Sequence, residues 1–95
     1  MAPEVVEGQA SDFRADVWSL GIILHHLASS KLPFSGDDRE ETREQILNKP
    51  LNLQGPNGAK MSPQLKNLIT AMLKKDQKTR ISIADVLAHP WMSSP

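Results

Sequence analysis

The sequence predicts an all-α chain, and three observations lead to this fold class. Apolar residues recur at helical spacing, start and stop signals bracket four segments, and no stretch alternates convincingly as a β-strand does. The 95 residues carry a formal net charge of zero and contain no cysteine. This composition excludes disulfides and thiolate metal sites, and it argues against a non-specific nucleic-acid binder.

The chain opens with a short helical turn and then the main helix. Pro3 suits the first position of a helix, and Gly8 is a stop signal. The main helix is predicted at about 16–30, where Asp12 or Asp16 can cap its start. Its apolar residues go nearly all the way round the helix: Val17, Trp18, Leu20, Ile22, Ile23, Leu24, Leu27 and Ala28. A helix that is apolar on every side is a buried helix.

The next helix, at 38–48, is highly charged. Its only large apolar residues are Ile46 and Leu47, so we expect a mostly exposed helix. A loop follows at 50–61, marked by prolines and glycines.

Two further helices complete the predicted chain. The helix at 62–74 starts with Ser62 as a cap and has apolar residues at three- and four-residue steps, so one of its faces is buried. The last helix, at 82–88, starts with Ser82 and is ended by Pro90.

The buried helix at 16–30 has too few apolar neighbours in this chain. The helices at 62–74 and 82–88 can cover part of it, and the charged helix can cover almost none. Each buried Leu, Ile or Val left in water forfeits roughly 1.5–3 kcal/mol. We therefore expect the chain to be part of a larger core, with homo-oligomerisation as the alternative.

Five short motifs occur in an order that resembles the large lobe of eukaryotic protein kinases. They are MAPE at 1–4, DVWSLG at 16–21, LPF at 32–34, KTRIS at 78–82 and HPW at 89–91. The chain resembles the C-terminal part of a serine/threonine kinase domain. Its residue pattern is similar to that of the calcium/calmodulin-dependent group. The resemblance implies that 1–95 is a partial protein kinase domain, the helical large-lobe portion of the α+β kinase-like fold.

The resemblance implies structural roles for three charged residues. Glu4 matches the glutamate of the Ala-Pro-Glu motif, and Arg80 matches the arginine that pairs with it. An Arg–carboxylate fork gives two parallel charged hydrogen bonds, which suits a tie between distant segments. The residues alone favour a solvent-exposed pair, whereas the family pattern favours a buried one. Asp16 matches an aspartate that binds backbone amides of the catalytic loop, and a simple helix cap is the alternative.

Four positions of the central helix also match the family, and a fifth departs from it. The resemblance implies that Trp18 packs behind the substrate-side loop and that Gly21 permits a close helix contact. Ile23 and Leu27 match positions that support an apolar column under the adenine pocket, and generic core is the alternative. His26 stands at a substrate-side position where kinases preferring basic substrates often have glutamate, so the resemblance implies no attraction for a substrate arginine there.

The motifs of phosphoryl transfer do not occur in this sequence. The reaction needs a Gly-rich loop, a strand lysine, a catalytic-loop aspartate and magnesium-binding Asn and Asp residues. Arg14 follows Asp12-Phe13 where the magnesium motif has glycine. We expect no catalytic residue, no bound cofactor and no metal in this chain, with ATP and Mg²⁺ belonging to the parent kinase. The expected partners are protein substrates and the missing small lobe and catalytic loop of the same kinase.

Other features of the sequence predict no additional site. The adjacent residues His25 and His26 point about 100° apart on a helix, so they do not predict a metal site. Lys74 and Lys75 predict a solvated helix end. No long apolar run and no secretory signal occur, so we expect an intracellular, cytoplasmic chain with no membrane or nucleic-acid partner. The alternative function is a non-catalytic helical binding module, such as a pseudokinase remnant or decoy.

Overall fold

A computed structural model of the chain describes residues 2–8, 12–53 and 61–93. Over these residues the elements are α1 (Pro3–Val6), α2 (Phe13–Ser29), α3 (Arg39–Asn48), α4 (Pro63–Met72), α5 (Ile83–Ala88) and α6 (Pro90–Ser93). The part of the chain that the structure describes contains no β-strand, so the predicted all-α class is confirmed. Most of the loop predicted at 50–61 lies outside the described residues.

Helix α2 begins three residues before the predicted start, because its cap is Asp12. The Asp12 carboxylate accepts a hydrogen bond from the Arg14 backbone N–H at 2.9 Å. Asp16 therefore lies inside the first turn and does not cap the helix. The helix ends at Ser29, and Ser30 adopts the left-handed conformation with φ 63°. Glycine is the usual residue in that conformation, since it has no Cβ.

The starts of α3, α4 and α5 follow the same local chemistry. A side-chain oxygen of the residue before each helix accepts the N–H three positions on, at 2.8 Å for Asp38, 3.1 Å for Ser62 and 3.1 Å for Ser82. Helix α5 ends at Ala88, before Pro90. Pro90 then opens the short helix α6, which lies beyond the predicted elements, because proline lacks an N–H and suits a first helical position.

The core lies between α2 and α4. One cluster of buried side chains includes Trp18, Phe34 and Ile69, and a second includes Val17 and Leu68. Helix α3 packs against α1 and buries Ile46. The core therefore covers only one face of the central helix.

The opposite face of α2 is exposed and apolar. Exposed fractions are 52% for Phe13, 45% for Leu20, 54% for Ile23 and 76% for Leu27. These residues are three, four or seven positions apart, so they form one stripe along the helix. The stripe adjoins an apolar groove of about 320 Å³ between α2, α4, α5 and α6. Among the described residues, no helix is long and apolar enough to span a membrane.

Candidate functional site

Arg80 and Glu4 form a bidentate ion pair in the protein interior. The Nη1 and Nη2 atoms of Arg80 donate to the Oε2 and Oε1 atoms of Glu4, both at 2.8 Å. The arginine side chain is fully buried and the glutamate side chain is 2% exposed. The structure thus brings these two predicted residues together as a buried pair.

Three backbone carbonyls complete the surroundings of the guanidinium. Nε donates to Lys74 O at 2.8 Å, Nη1 to Arg14 O at 2.8 Å and Nη2 to Lys75 O at 3.3 Å. With the two bonds to Glu4, all five N–H donors of the arginine have an acceptor. Arg80 therefore joins α1, the start of α2 and the segment that follows α4.

The hydrogen bonds from Arg80 also affect the protonation of Glu4. The hydrogen bond from Arg80 lowers the pKa of Glu4 and outweighs burial, which by itself would raise that pKa. Glu4 is therefore an anion at neutral pH, and each member of the buried pair carries a charge of opposite sign. A buried charge without a partner is strongly destabilising, so each of the two residues depends on the other.

An aromatic stack lies beside this pair. The rings of Trp18 and Phe34 are 5.7 Å apart between centroids and inclined by 10°. The Arg80 guanidinium carbon is 5.2 Å from the Trp18 centroid, and Lys75 Nζ is 4.1 Å from the Phe34 centroid. Both distances are within the range of cation–π attraction. Trp18 thus packs against the segment that contains the LPF motif.

Gly21 brings α2 into close contact with the end of α4. A Cβ added at Gly21 would lie 2.9 Å from Leu73 Cδ2 and 2.9 Å from Met72 Cβ. Real Cβ atoms do not approach other heavy atoms this closely. The absence of a side chain therefore determines the spacing of the two helices.

The other predicted site residues lie away from the pair. Asp16 and His26 are exposed, and the side chain of neither makes a hydrogen bond to another described residue. Ile23 and Leu27 belong to the exposed stripe of α2. The structure does not bring these four residues into the cluster around Arg80.

Lys75 is a residue of this site that sequence reasoning missed. The prediction of a solvated helix end is wrong for Lys75, because its Nζ atom donates to the backbone carbonyls of Gln45 and Ile46. Burial lowers the pKa of Lys75. No local pattern indicates this contact, since its partners precede Lys75 by 29 and 30 positions.

His25 is a second missed residue. It is fully buried, and its Nδ1 atom lies 2.9 Å from Lys31 O. A carbonyl only accepts, so Nδ1 carries the proton in this contact. The Nε2 atom is buried without a partner in the described structure, as is Trp18 Nε1. The seven-residue spacing from Trp18 to His25 was the available signal, because it places both on one helix face.

A broad groove lies between α1 and α3. It has a volume of about 570 Å³, with apolar contributions from Val6 and Ile46 and charged ones that include Asp37, Arg39 and Arg43. Within the residues that the structure describes, no three His, Asp or Glu side chains are grouped as metal ligands.

Comparison with known proteins identifies the family. Residues 1–92 match the protein kinase domain. The chain is 39% identical over 91 residues to serine/threonine-protein kinase OXI1 of Arabidopsis thaliana, covering 96% of the chain and 20% of that protein. It is 42% identical over 94 residues to calcium-dependent protein kinase 22 of Oryza sativa subsp. japonica, covering 99% of the chain and 16% of that protein.

The fold agrees with a solved kinase structure. The twitchin kinase region from C. elegans superposes with a TM-score of 0.93 at 32% identity, over 99% of this chain and 17% of that one. The chain thus spans about a fifth or less of the length of these three relatives. By sequence and fold it belongs to the protein kinase domain family, as the C-terminal helical portion of a serine/threonine kinase large lobe similar to the calcium/calmodulin-dependent group.

Proposed function

We propose that this chain serves a serine/threonine protein kinase whose complete domain transfers the γ-phosphate of ATP to protein hydroxyls. Residues 1–95 contribute a structural scaffold and a protein-docking surface. The observation that carries the proposal is the buried Glu4–Arg80 pair, which holds α1 against α2 and the segment after α4. In phosphoryl transfer most of the catalysis is positioning and electrostatic stabilisation, so a rigid support contributes to the rate.

The chemistry itself belongs to residues outside this chain. No phosphate-binding loop, strand lysine or catalytic-loop aspartate occurs in the sequence, and its residues do not fit an ATP or Mg²⁺ site. ATP and Mg²⁺ are bound by the small lobe and the catalytic loop. The roles of Glu4, Arg80, Trp18 and Gly21 are therefore structural.

The exposed stripe of α2 is the contact surface for these other parts of the kinase. Ile23 and Leu27 support the apolar column below the adenine pocket, and Asp16 anchors backbone amides of the catalytic loop. Two features support these roles: the stripe is apolar although exposed, and the Asp16 carboxylate has no hydrogen-bond partner in the described part of the chain. A carboxylate can accept several N–H bonds from one irregular loop.

The docking surface for protein substrates consists of α3, the groove beside it and His26. The charged side chains of Arg39, Glu40 and Arg43 are exposed along α3. The groove adds the apolar side chains of Val6 and Ile46. An apolar floor with a charged rim is typical of protein interfaces. His26 provides no fixed negative charge for a substrate arginine.

A chimeric kinase tests the proposal. The matching segment of calcium-dependent protein kinase 22 is replaced by this chain, and transfer of labelled phosphate from ATP to a peptide is measured. We expect an active chimera, and Arg80→Met should lower kcat/KM by about tenfold or more, because small misplacements of positioned groups are costly. Lys78→Met is the matched control, since that side chain is exposed.

The same experiment addresses the alternative of a non-catalytic binding module. A chimera that melts cooperatively and binds ATP, yet transfers no phosphate, would contradict the scaffold proposal. Equal activity of the Arg80→Met and parent chimeras would remove the role of the ion pair.

A further inference from the structure

The C-terminal turn of α3 lacks one backbone hydrogen bond, because a proline follows the helix. The N–H of Lys49 donates to Gln45 O at 2.9 Å, as expected for a helix end. The next carbonyl, that of Ile46, would normally accept from residue 50. Pro50 has no N–H, so the helix itself supplies no donor for this carbonyl.

Lys75 supplies that donor from a distant segment. Its Nζ atom donates to Ile46 O and, at 3.3 Å, to Gln45 O, while lying over the ring of Phe34. A positive charge at a helix C-terminus also interacts favourably with the helix dipole. The Gln45 side chain makes a second contact at the same turn. Its Oε1 atom accepts from Ser35 N–H at 2.9 Å, and its Nε2 atom donates to Ser35 O at 3.1 Å.

The backbone of Lys75 belongs to the arginine-centred site. Arg80 Nη2 donates to Lys75 O, and Nε donates to the preceding carbonyl of Lys74. Glu4 in turn holds both terminal nitrogens of Arg80. A continuous set of contacts therefore runs from Glu4 through Arg80 and Lys75 to the end of α3.

We propose that Lys75 is a positioning residue that couples the orientation of α3 to the Glu4–Arg80 pair. Loss of the pair frees the segment that carries Lys75, and the C-terminal turn of α3 then loses its cap. Because α3 is the proposed docking helix, binding of a protein substrate depends on the state of the pair. This last step rests on the proposed function, whereas the coupling itself does not.

Amide hydrogen exchange in the 95-residue chain tests the coupling without any partner. Lys75→Met should speed exchange of the Lys49 amide and the last-turn amides of α3 by about fivefold, the effect of a lost charged cap. The Leu73 amide at the end of α4 should change less and serves as the internal reference. Lys75→Arg, which keeps the charge and the donor, should restore slow exchange. Lys74→Met is the matched control, because that side chain is exposed.

Glu4→Gln separates coupling from a purely local cap. We expect it to speed exchange at the end of α3 in the parent chain and to add little in the Lys75→Met background. No change at α3 in Glu4→Gln overturns the proposal. An equal rise in α3 and at Leu73 also overturns it, since that result indicates general destabilisation.

A kinetic measurement on the chimera then tests the docking step. Lys75→Met should raise KM for a protein substrate more than it lowers kcat, and Lys75→Arg should reverse the change. If hydrogen exchange shows the coupling but KM is unchanged, only the docking role of α3 is overturned.

Discussion

Arg80 and Glu4 are 76 positions apart in the sequence, yet both terminal nitrogens of the guanidinium lie 2.8 Å from a carboxylate oxygen. Among the ion pairs of the described residues, this one is buried, whereas the Arg14–Asp12 pair has an N···O distance of 3.9 Å and side chains that are 38% and 47% exposed. The two pairs therefore differ greatly in their expected effect on stability.

Arg80→Met should lower the free energy of unfolding by about 3–5 kcal/mol, because it leaves the Glu4 carboxylate buried without its partner. Arg14→Met removes the exposed pair and should change stability by at most about 1 kcal/mol. Urea unfolding of the three chains measures both effects. Equal midpoints for Arg80→Met and the parent would show that the buried pair contributes nothing.

The pH dependence of stability should carry a component from Glu4. The pKa of Glu4 in the folded chain lies below its ordinary value of 4.5, so between the two values the unfolded state binds more protons. The contribution of Glu4 is fully present above pH 4.5 and is lost as the pH falls through the lowered pKa. The difference in unfolding free energy between the parent and Glu4→Gln should therefore shrink on acidification. A constant difference would be inconsistent with the lowered pKa.

Gly21→Ala should destabilise the chain, although alanine is the better helix former. The new Cβ would lie 2.9 Å from Met72 Cβ, an atom fixed to the backbone of α4. Overpacking of this kind costs about 1–3 kcal/mol, against a gain of at most about 1 kcal/mol in helix propensity. Ser19→Ala, at an exposed position of the same helix, is the control and should be nearly neutral. A higher melting temperature for Gly21→Ala would refute the close contact.

Phe34→Ala should cost about 3–5 kcal/mol, because a buried ring is lost together with its stack on Trp18. Phe34→Leu keeps most of the apolar volume and should cost less. The emission of Trp18 should respond to Phe34→Ala, since the ring that covers the indole is removed. Identical unfolding curves for the Ala and Leu variants would indicate that the stack is not stabilising.

The exposed stripe of α2 should bind a hydrophobic dye when the chain is isolated. Ile23→Lys with Leu27→Lys should reduce dye fluorescence strongly and change stability little, because both side chains are more than half exposed. Leu32→Lys is the control: Leu32 is 49% exposed but lies outside α2. If all three substitutions reduce dye fluorescence equally, the dye does not bind at the exposed stripe of α2.

Capping signals made the helix starts predictable. Asp38, Ser62 and Ser82 each bind an N–H three residues on, so the information is contained in four consecutive residues. The predicted start of α2 lies three residues late, because two aspartates can cap the helix and only Asp12 does so. The family motifs likewise identified the partners of the buried pair, whose residues are far apart in the chain.

The sequence by itself determined helices α2 to α5, because caps and apolar spacing are properties of the chain's own residue pattern. Its ordered motifs carried the family resemblance, and that resemblance implied the Glu4–Arg80 pair. Only the tertiary structure decided which face of α2 is covered, that Lys75 caps α3, and that His25 is buried. The physical reason is that burial and hydrogen bonding at these positions depend on segments about thirty or more residues away, or on neighbouring turns whose direction no local pattern encodes.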